Sequence, residues 1–207
     1  PKPDKMKVLL KQTVGIDVAQ NELVVSLGRM DQQISIEVYA YKVFPNTKKG
    51  FSSLVSWVNK QTLPNAEVRY VMEATGVYHE SLAYYLCSNQ KQVSIVLPNK
   101  ISNYVRTLDI KTITDKSASQ ASARFGLERQ LEVWQPPSKI FNDLRQLCRE
   151  REQLVQERTM LKNQLHAERT SATSSENSIK RTKNRIVMID KQEKEIKGEI
   201  AALIKGD

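Results

Sequence analysis

The chain has 207 residues, with 32 Lys and Arg against 23 Asp and Glu and a formal net charge of +9. That length holds one globular domain with an extension or two small ones, and the cation excess favours a polyanionic partner, nucleic acid before an acidic membrane surface. No apolar run approaches a membrane span, Cys87 and Cys148 sit in no CxxC or Cys/His cluster, and Pro1-Lys2-Pro3-Asp4-Lys5 has no apolar signal, so the expectation is a cytoplasmic protein with reduced thiols and no membrane partner.

The first element is Thr13-Val14-Gly15-Ile16-Asp17-Val18-Ala19-Gln20, an apolar strand. Its alternation puts Asp17 on the face opposite Val14, Ile16 and Val18. A carboxylate there is costly to bury alone, so it either caps the following turn or serves a cation or catalysis. Glu22 to Gly28 reads as a second strand and Ile34 to Phe44 as a third, with Ile34, Ile36 and Val38 in alternation. Short connections make the three an antiparallel meander.

Pro45-Asn46-Thr47 ends the meander and supplies an N-cap, after which Phe51, Leu54, Val55 and Val58 fall at helical spacing beside Trp57. Val68 to Glu73 is a fourth strand, Tyr78 to Asn89 a helix, and Val93 to Leu97 a fifth strand. Strand, helix and strand form a right-handed crossover with parallel strands. A meander followed by such a unit matches the ribonuclease-H-like arrangement, with the fourth strand beside the first. Asp17 and Glu73 then meet at adjacent strands, and two carboxylates there repel unless a divalent cation separates them.

Asn99 to Leu108 reads as a basic, exposed segment carrying Lys100 and Arg106, followed by Lys111. Thr114 can N-cap a helix through Leu127, placing Asp115 in its first turn. There it is a dipole partner or a further metal ligand. Composition shifts at Trp134-Gln135-Pro136-Pro137-Ser138, which sets the expected domains at 1–135 and 136–207. Ile140, Leu144, Leu147, Leu154, Leu161 and Leu165 form a heptad seam with Arg151 and Arg158 in its remaining positions. After the polar break Thr170 to Ser178, Ile179, Ile186, Ile189, Ile196, Ile200 and Leu203 form a second seam. The expectation is an antiparallel coiled-coil hairpin that dimerises, the seam arginines calling for a partner chain.

Gly15-Ile16-Asp17-Val18, Glu73-Ala74-Thr75-Gly76-Val77-Tyr78, and Thr114-Asp115-Lys116 with Ala123-Arg124-Phe125-Gly126 closely resemble the DEDD-type transposases of bacterial insertion sequences. These are relatives of the Piv-type DNA invertases, and some members are bridge-RNA-guided recombinases. The resemblance implies an α/β fold: a RuvC-like, ribonuclease-H-like mixed five-stranded sheet with helices, followed by the coiled-coil hairpin. It implies metal-dependent DNA cleavage and strand exchange, with Mg²⁺ or Mn²⁺ held by Asp17, Glu73 and Asp115. DNA, a guide (bridge) RNA and a homodimer or higher oligomer are the implied partners. The family's fourth acid stands three residues after Asp115, where this chain has Ala118. The family's C-terminal serine domain has no counterpart here, so the expectation is an inactive catalytic-core and dimerisation fragment.

Lys100, Arg106, Lys111, Lys116 and Arg124 are the expected phosphate contacts, against a reading of them as an ordinary solvated basic face. Two other classes compete with the recombinase: a catalytically silent dimeric nucleic-acid-binding scaffold, which Ala118 favours, and an actin-like kinase or ATPase. The seven glycines form no GxGxxG or GxxxxGK loop, which argues against the kinase.

Overall fold

In the structure, a computed structural model, the described residues are 8–64, 66–74, 76–108 and 112–206; Lys111 lies outside them. The chain divides into two compact units, Pro1–Pro136 and Pro137–Asp207.

The first unit is built on a five-stranded sheet. Strands β1 (Leu9–Val18), β2 (Glu22–Asp31) and β3 (Ile36–Pro45) form the antiparallel meander, and β4 (Val68–Glu73) and β5 (Gln92–Val96) add parallel neighbours. The order is β3-β2-β1-β4-β5. This is the ribonuclease-H-like order that the meander and crossover imply, with the fourth strand beside the first.

Alternation assigns each strand two faces. Val14 and Ile16 of β1 and Tyr70 and Met72 of β4 turn one way, onto helices α1 (Lys48–Gln61) and α2 (Glu80–Ser88). They pack there with Phe51, Leu54, Val58, Leu82 and Leu86 in the larger core. Helix α1 starts at Thr47, whose hydroxyl accepts from the Gly50 amide at 3.2 Å. Val71 and Val96 turn the other way, onto helices α3 (Pro98–Val105) and α4 (Asp115–Glu128), in a second cluster with Ile101, Tyr104, Val105, Ala121 and Phe125.

Helix α3 corrects the sequence reading, which treated Asn99 to Leu108 as an exposed basic segment. Pro98 occupies the first turn, where its missing amide costs nothing, and Ile101, Tyr104 and Val105 are buried at helical spacing. Lys100 and Arg106 stay exposed on either side of that stripe.

The second unit is a helical hairpin of α5 (Lys139–Thr170) and α6 (Glu176–Lys205). Its helices are 32 and 30 residues long, roughly 45 Å each at 1.5 Å per residue. Leu161, Ile189 and Ile196 of the two expected seams are buried, while Leu154, Leu165, Ile179, Ile186 and Ile200 are only half-covered. Glu193 is buried between the helices and takes Arg158 at 2.5 Å, Lys197 at 2.7 Å and Arg151 at 3.6 Å. These cations hold its carboxyl below the usual range, Lys197 foremost. The seam arginines therefore find their acid inside the same chain, and they no longer call for a second one. No helix among the described residues is long and apolar enough to cross a membrane.

Candidate functional site

Helix α4 lies unusually close to β1. Gly15 makes this possible: a Cβ there would fall 2.1 Å from the Ser119 carbonyl oxygen and 2.2 Å from the Ala123 nitrogen. Thr13 Oγ1 donates to the Ala123 carbonyl at 2.8 Å, and the Ser26 and Ser119 hydroxyls meet at 2.8 Å, so polar bonds fix the helix on both sides of the glycine. At the head of α4, Thr114 caps the helix in a reciprocal box with Ser117, and Asp115 occupies the first turn.

The sheet register supplies the other acids. Ile16 pairs with Met72 in parallel, so the next residues, Asp17 and Glu73, leave neighbouring strands side by side on the α4 face. Asp17 is half-buried and its carboxyl is pushed up to about 6, by burial first and then by the charges of Asp115 and Glu73. The three carboxylates thus share one electrostatic neighbourhood. Ala118 is half-buried one turn after Asp115 and adds no charge. Ser117 is spent on the cap and Ser119 on Ser26, so neither stands in for the acid.

Two features of this end of the sheet escaped the sequence reading. Asn46 Nδ2 donates to the carbonyls of Ala19 at 2.8 Å and Tyr78 at 3.3 Å, tying together the turns that follow Asp17 and Glu73. Gly76 has φ +57°, the left-handed conformation that lets the chain turn just beyond Glu73.

The donor chemistry suits a hard divalent cation such as Mg²⁺ or Mn²⁺, since it consists of carboxylate oxygens whose mutual repulsion already raises Asp17. The spacing is open, however: among the described residues no three carboxylate, His or Cys groups stand close enough to hold one ion jointly.

Lys116 and Arg124 are exposed on α4, two turns apart. The Lys116 ammonium lies 5.0 Å from the centre of the Tyr41 ring, and the Arg124 guanidinium reaches Glu128 at 3.7 Å. Lys100 lies on α3, which packs on α4, and Arg106 is the C-cap of α3.

The strained carboxyl gives a pH signature. Asp17 holds its proton more tightly folded than unfolded, so its contribution to stability falls as pH rises from about 4 to about 6 and levels off above. In metal-free buffer, Asp17→Asn should raise the melting temperature at pH 8 and much less at pH 4.5. Equal effects of Asp17→Asn at the two pH values would show that neither burial nor the neighbouring acids disfavour the Asp17 charge.

This strand order, with carboxylates at the ends of β1 and β4 and at the head of the last sheet-packing helix, is that of a ribonuclease-H-like domain of the RuvC type. The profile of the IS110-type DEDD family, described as Transposase, matches residues 14–168. The chain belongs to that transposase family. The Pilin gene-inverting proteins of Moraxella bovis and Moraxella lacunata are each 33% identical over 153 residues, covering 72% of this chain and 46% of the relative. The chain therefore spans less than half the length of these curated relatives. Among solved structures, Thermus thermophilus RuvC in complex with Holliday junction substrate aligns with TM-score 0.44 and 7% identity, over 59% of this chain and 99% of that one. Fowlpox virus resolvase with its Holliday junction DNA aligns at 0.40 and 14%, over 56% and 97%. The fold assignment itself rests on the strand order and pairing above.

Proposed function

We propose that this chain is the metal-binding part of a DNA recombinase, with Asp17, Glu73 and Asp115 as the acids that would hold Mg²⁺ or Mn²⁺. The observation that carries the reading is the Asp17 carboxyl, pushed up by burial and by the charges of Asp115 and Glu73. Structural acids are normally placed to avoid such repulsion, and functional sites are where it is tolerated. The chemistry a divalent ion supplies there is stabilisation of charge on a scissile phosphate. The Gly15 contact and the Thr114 cap hold Asp115 toward the strand ends, and Asn46 holds the turns beyond Asp17 and Glu73. Lys100, Arg106, Lys116 and Arg124, with Lys111, are the cations that would meet phosphates.

DNA as substrate is supported by the relatives' names, which describe inversion of a gene, and by the net charge of +9. A guide (bridge) RNA is included among the partners on the motif resemblance. We place residues 136–207 as a dimerisation hairpin, because its half-covered Leu and Ile seams leave apolar area for a second copy. Light scattering should then read a dimer or larger in solution, and a particle of 23.7 kDa at micromolar concentration would reject this assembly.

A second reading, a catalytically silent nucleic-acid-binding scaffold, is favoured by Ala118 and by the open spacing of the acids. Both readings predict duplex DNA binding that is indifferent to sequence and weakens steeply with salt. Binding unchanged between low and moderate salt would sink both. With Ala118 in place of the fourth acid we expect this chain to be inactive as it stands, so Mn²⁺ binding that Asp17→Ala weakens, rather than DNA cleavage, separates the first from the second.

A further inference from the structure

The face of α4 that turns toward the sheet edge carries more than phosphate contacts. Lys116, Gln120 and Arg124 follow one another at steps of four, so they line one stripe of the helix. Strand β3, at the edge of the sheet, runs alongside. Tyr41 pairs with Ser26, whose hydroxyl meets Ser119 of α4, and Val38 pairs with Gly28, which packs on Ala123 and Leu127 of α4. The stripe and the strand are thus the two walls of a groove that starts beside Asp115.

At the acid end of this groove Lys116 lies over the Tyr41 ring, and Tyr41 and Val43 are still 42% and 41% exposed. At the other end lies a cavity of about 570 Å³ lined by Ile36, Val38, Leu108 and Ala121, with Thr107, Gln120 and Arg124 at its polar side. No acid is among the lining residues. An apolar floor, one amide and one guanidinium suit a flat heteroaromatic ring joined to a phosphate. The amide can both donate to and accept from a base edge.

We propose that this groove binds an unpaired stretch of polynucleotide, with one base against Tyr41, another in the cavity at Gln120, and the phosphates between them on Lys116 and Arg124. The proposal deepens the nucleic-acid reading above and rests on it. Charge complementarity selects the occupant, since a phosphate answers Lys116 beside the Tyr41 ring and competes with Glu128, 3.7 Å from Arg124, for that guanidinium, whereas an apolar peptide does neither. Paired bases offer no free face to Tyr41 and cannot enter the cavity, so the groove discriminates by strandedness.

Fluorescence anisotropy with labelled mixed-sequence oligonucleotides of about 12 nucleotides tests this, using single-stranded DNA, single-stranded RNA and duplex DNA at one salt concentration. The single strands should bind more tightly than duplex, and the tighter of the two identifies the natural strand. Tyr41→Ala should weaken both single strands about tenfold and duplex less than twofold, whereas Tyr41→Phe should keep wild-type binding. Duplex binding that equals or exceeds single-strand binding would overturn the groove and leave the recombinase reading standing. So would a Tyr41→Ala variant that weakens all three probes alike, or none. Failure of every probe to bind would remove both.

Discussion

Gly15→Ala is expected to cost the first unit about 3 kcal/mol or more, enough to leave it largely unfolded if its stability is ordinary. The added Cβ would fall 2.1 Å from the Ser119 oxygen and 2.2 Å from the Ala123 nitrogen, both backbone atoms of α4. Neither can rotate away, so relief requires lifting the helix off β1. That movement would strain the Thr13 to Ala123 bond and the Ser26 to Ser119 contact. Two other glycines serve as controls. Gly28→Ala meets side-chain atoms rather than backbone, the tip of Leu127 at 3.0 Å and the Thr13 hydroxyl at 3.2 Å, and should cost less, about 1 kcal/mol, because the Leu127 side chain can shift. Gly198→Ala, with nothing within 4 Å on α6, should stabilise by about 1 kcal/mol through helix propensity. Urea unfolding followed by fluorescence of Trp57 and Trp134 measures the first two, and circular dichroism of the hairpin helices the third. A Gly15→Ala protein within 1 kcal/mol of the parent would mean that α4 does not pack as described.

Ala118→Asp should tighten Mn²⁺ binding by at least about tenfold, since each added carboxylate raises the charge and ligand number available to a hard cation. Position 118 is one turn after Asp115 on α4, so the new group joins the acids at the strand ends. The same change adds a fourth negative charge where Asp17 is already pushed up to about 6, and metal-free stability should fall at pH 8. Asp17→Ala should weaken Mn²⁺ binding below the parent. Calorimetry on the three proteins decides the matter: equal binding by all would mean that these acids form no metal site.

Much of this was legible because the relevant signals are local. The alternation through Val68 to Glu73 and the Thr47 and Thr114 caps lie within a few residues, and each appears where the pattern places it. Helix α3 was missed because eight residues offer barely two turns of periodicity. Pro98 followed by Ile101, Tyr104 and Val105 was the available signal. The packing role of Gly15 was not legible, since a backbone contact with a helix a hundred residues later leaves no local trace. The same holds for Asn46, whose acceptors Ala19 and Tyr78 lie 27 and 32 residues away. Glu193 shows the limit most clearly. The seam positions of Arg151 and Arg158 were visible, but which acid would answer them depended on how the hairpin folds back.

That acid also governs how two such hairpins could exchange helices. Glu193 meets Arg151 and Arg158, two turns apart on α5, and Lys197 on its own helix. Sliding α6 by a single heptad would leave the buried carboxylate beside one arginine at most and part it from the other, a larger penalty than misaligning leucine against isoleucine. An α6 contributed by a second copy would therefore have to dock in the same register as the chain's own. Swapped and unswapped forms would share one seam and differ only in the path of the connecting loop from Ser171 to Ser175. Interconversion between them then depends on opening the hairpin, so its rate is set by breaking the Glu193 pairs and its equilibrium by protein concentration.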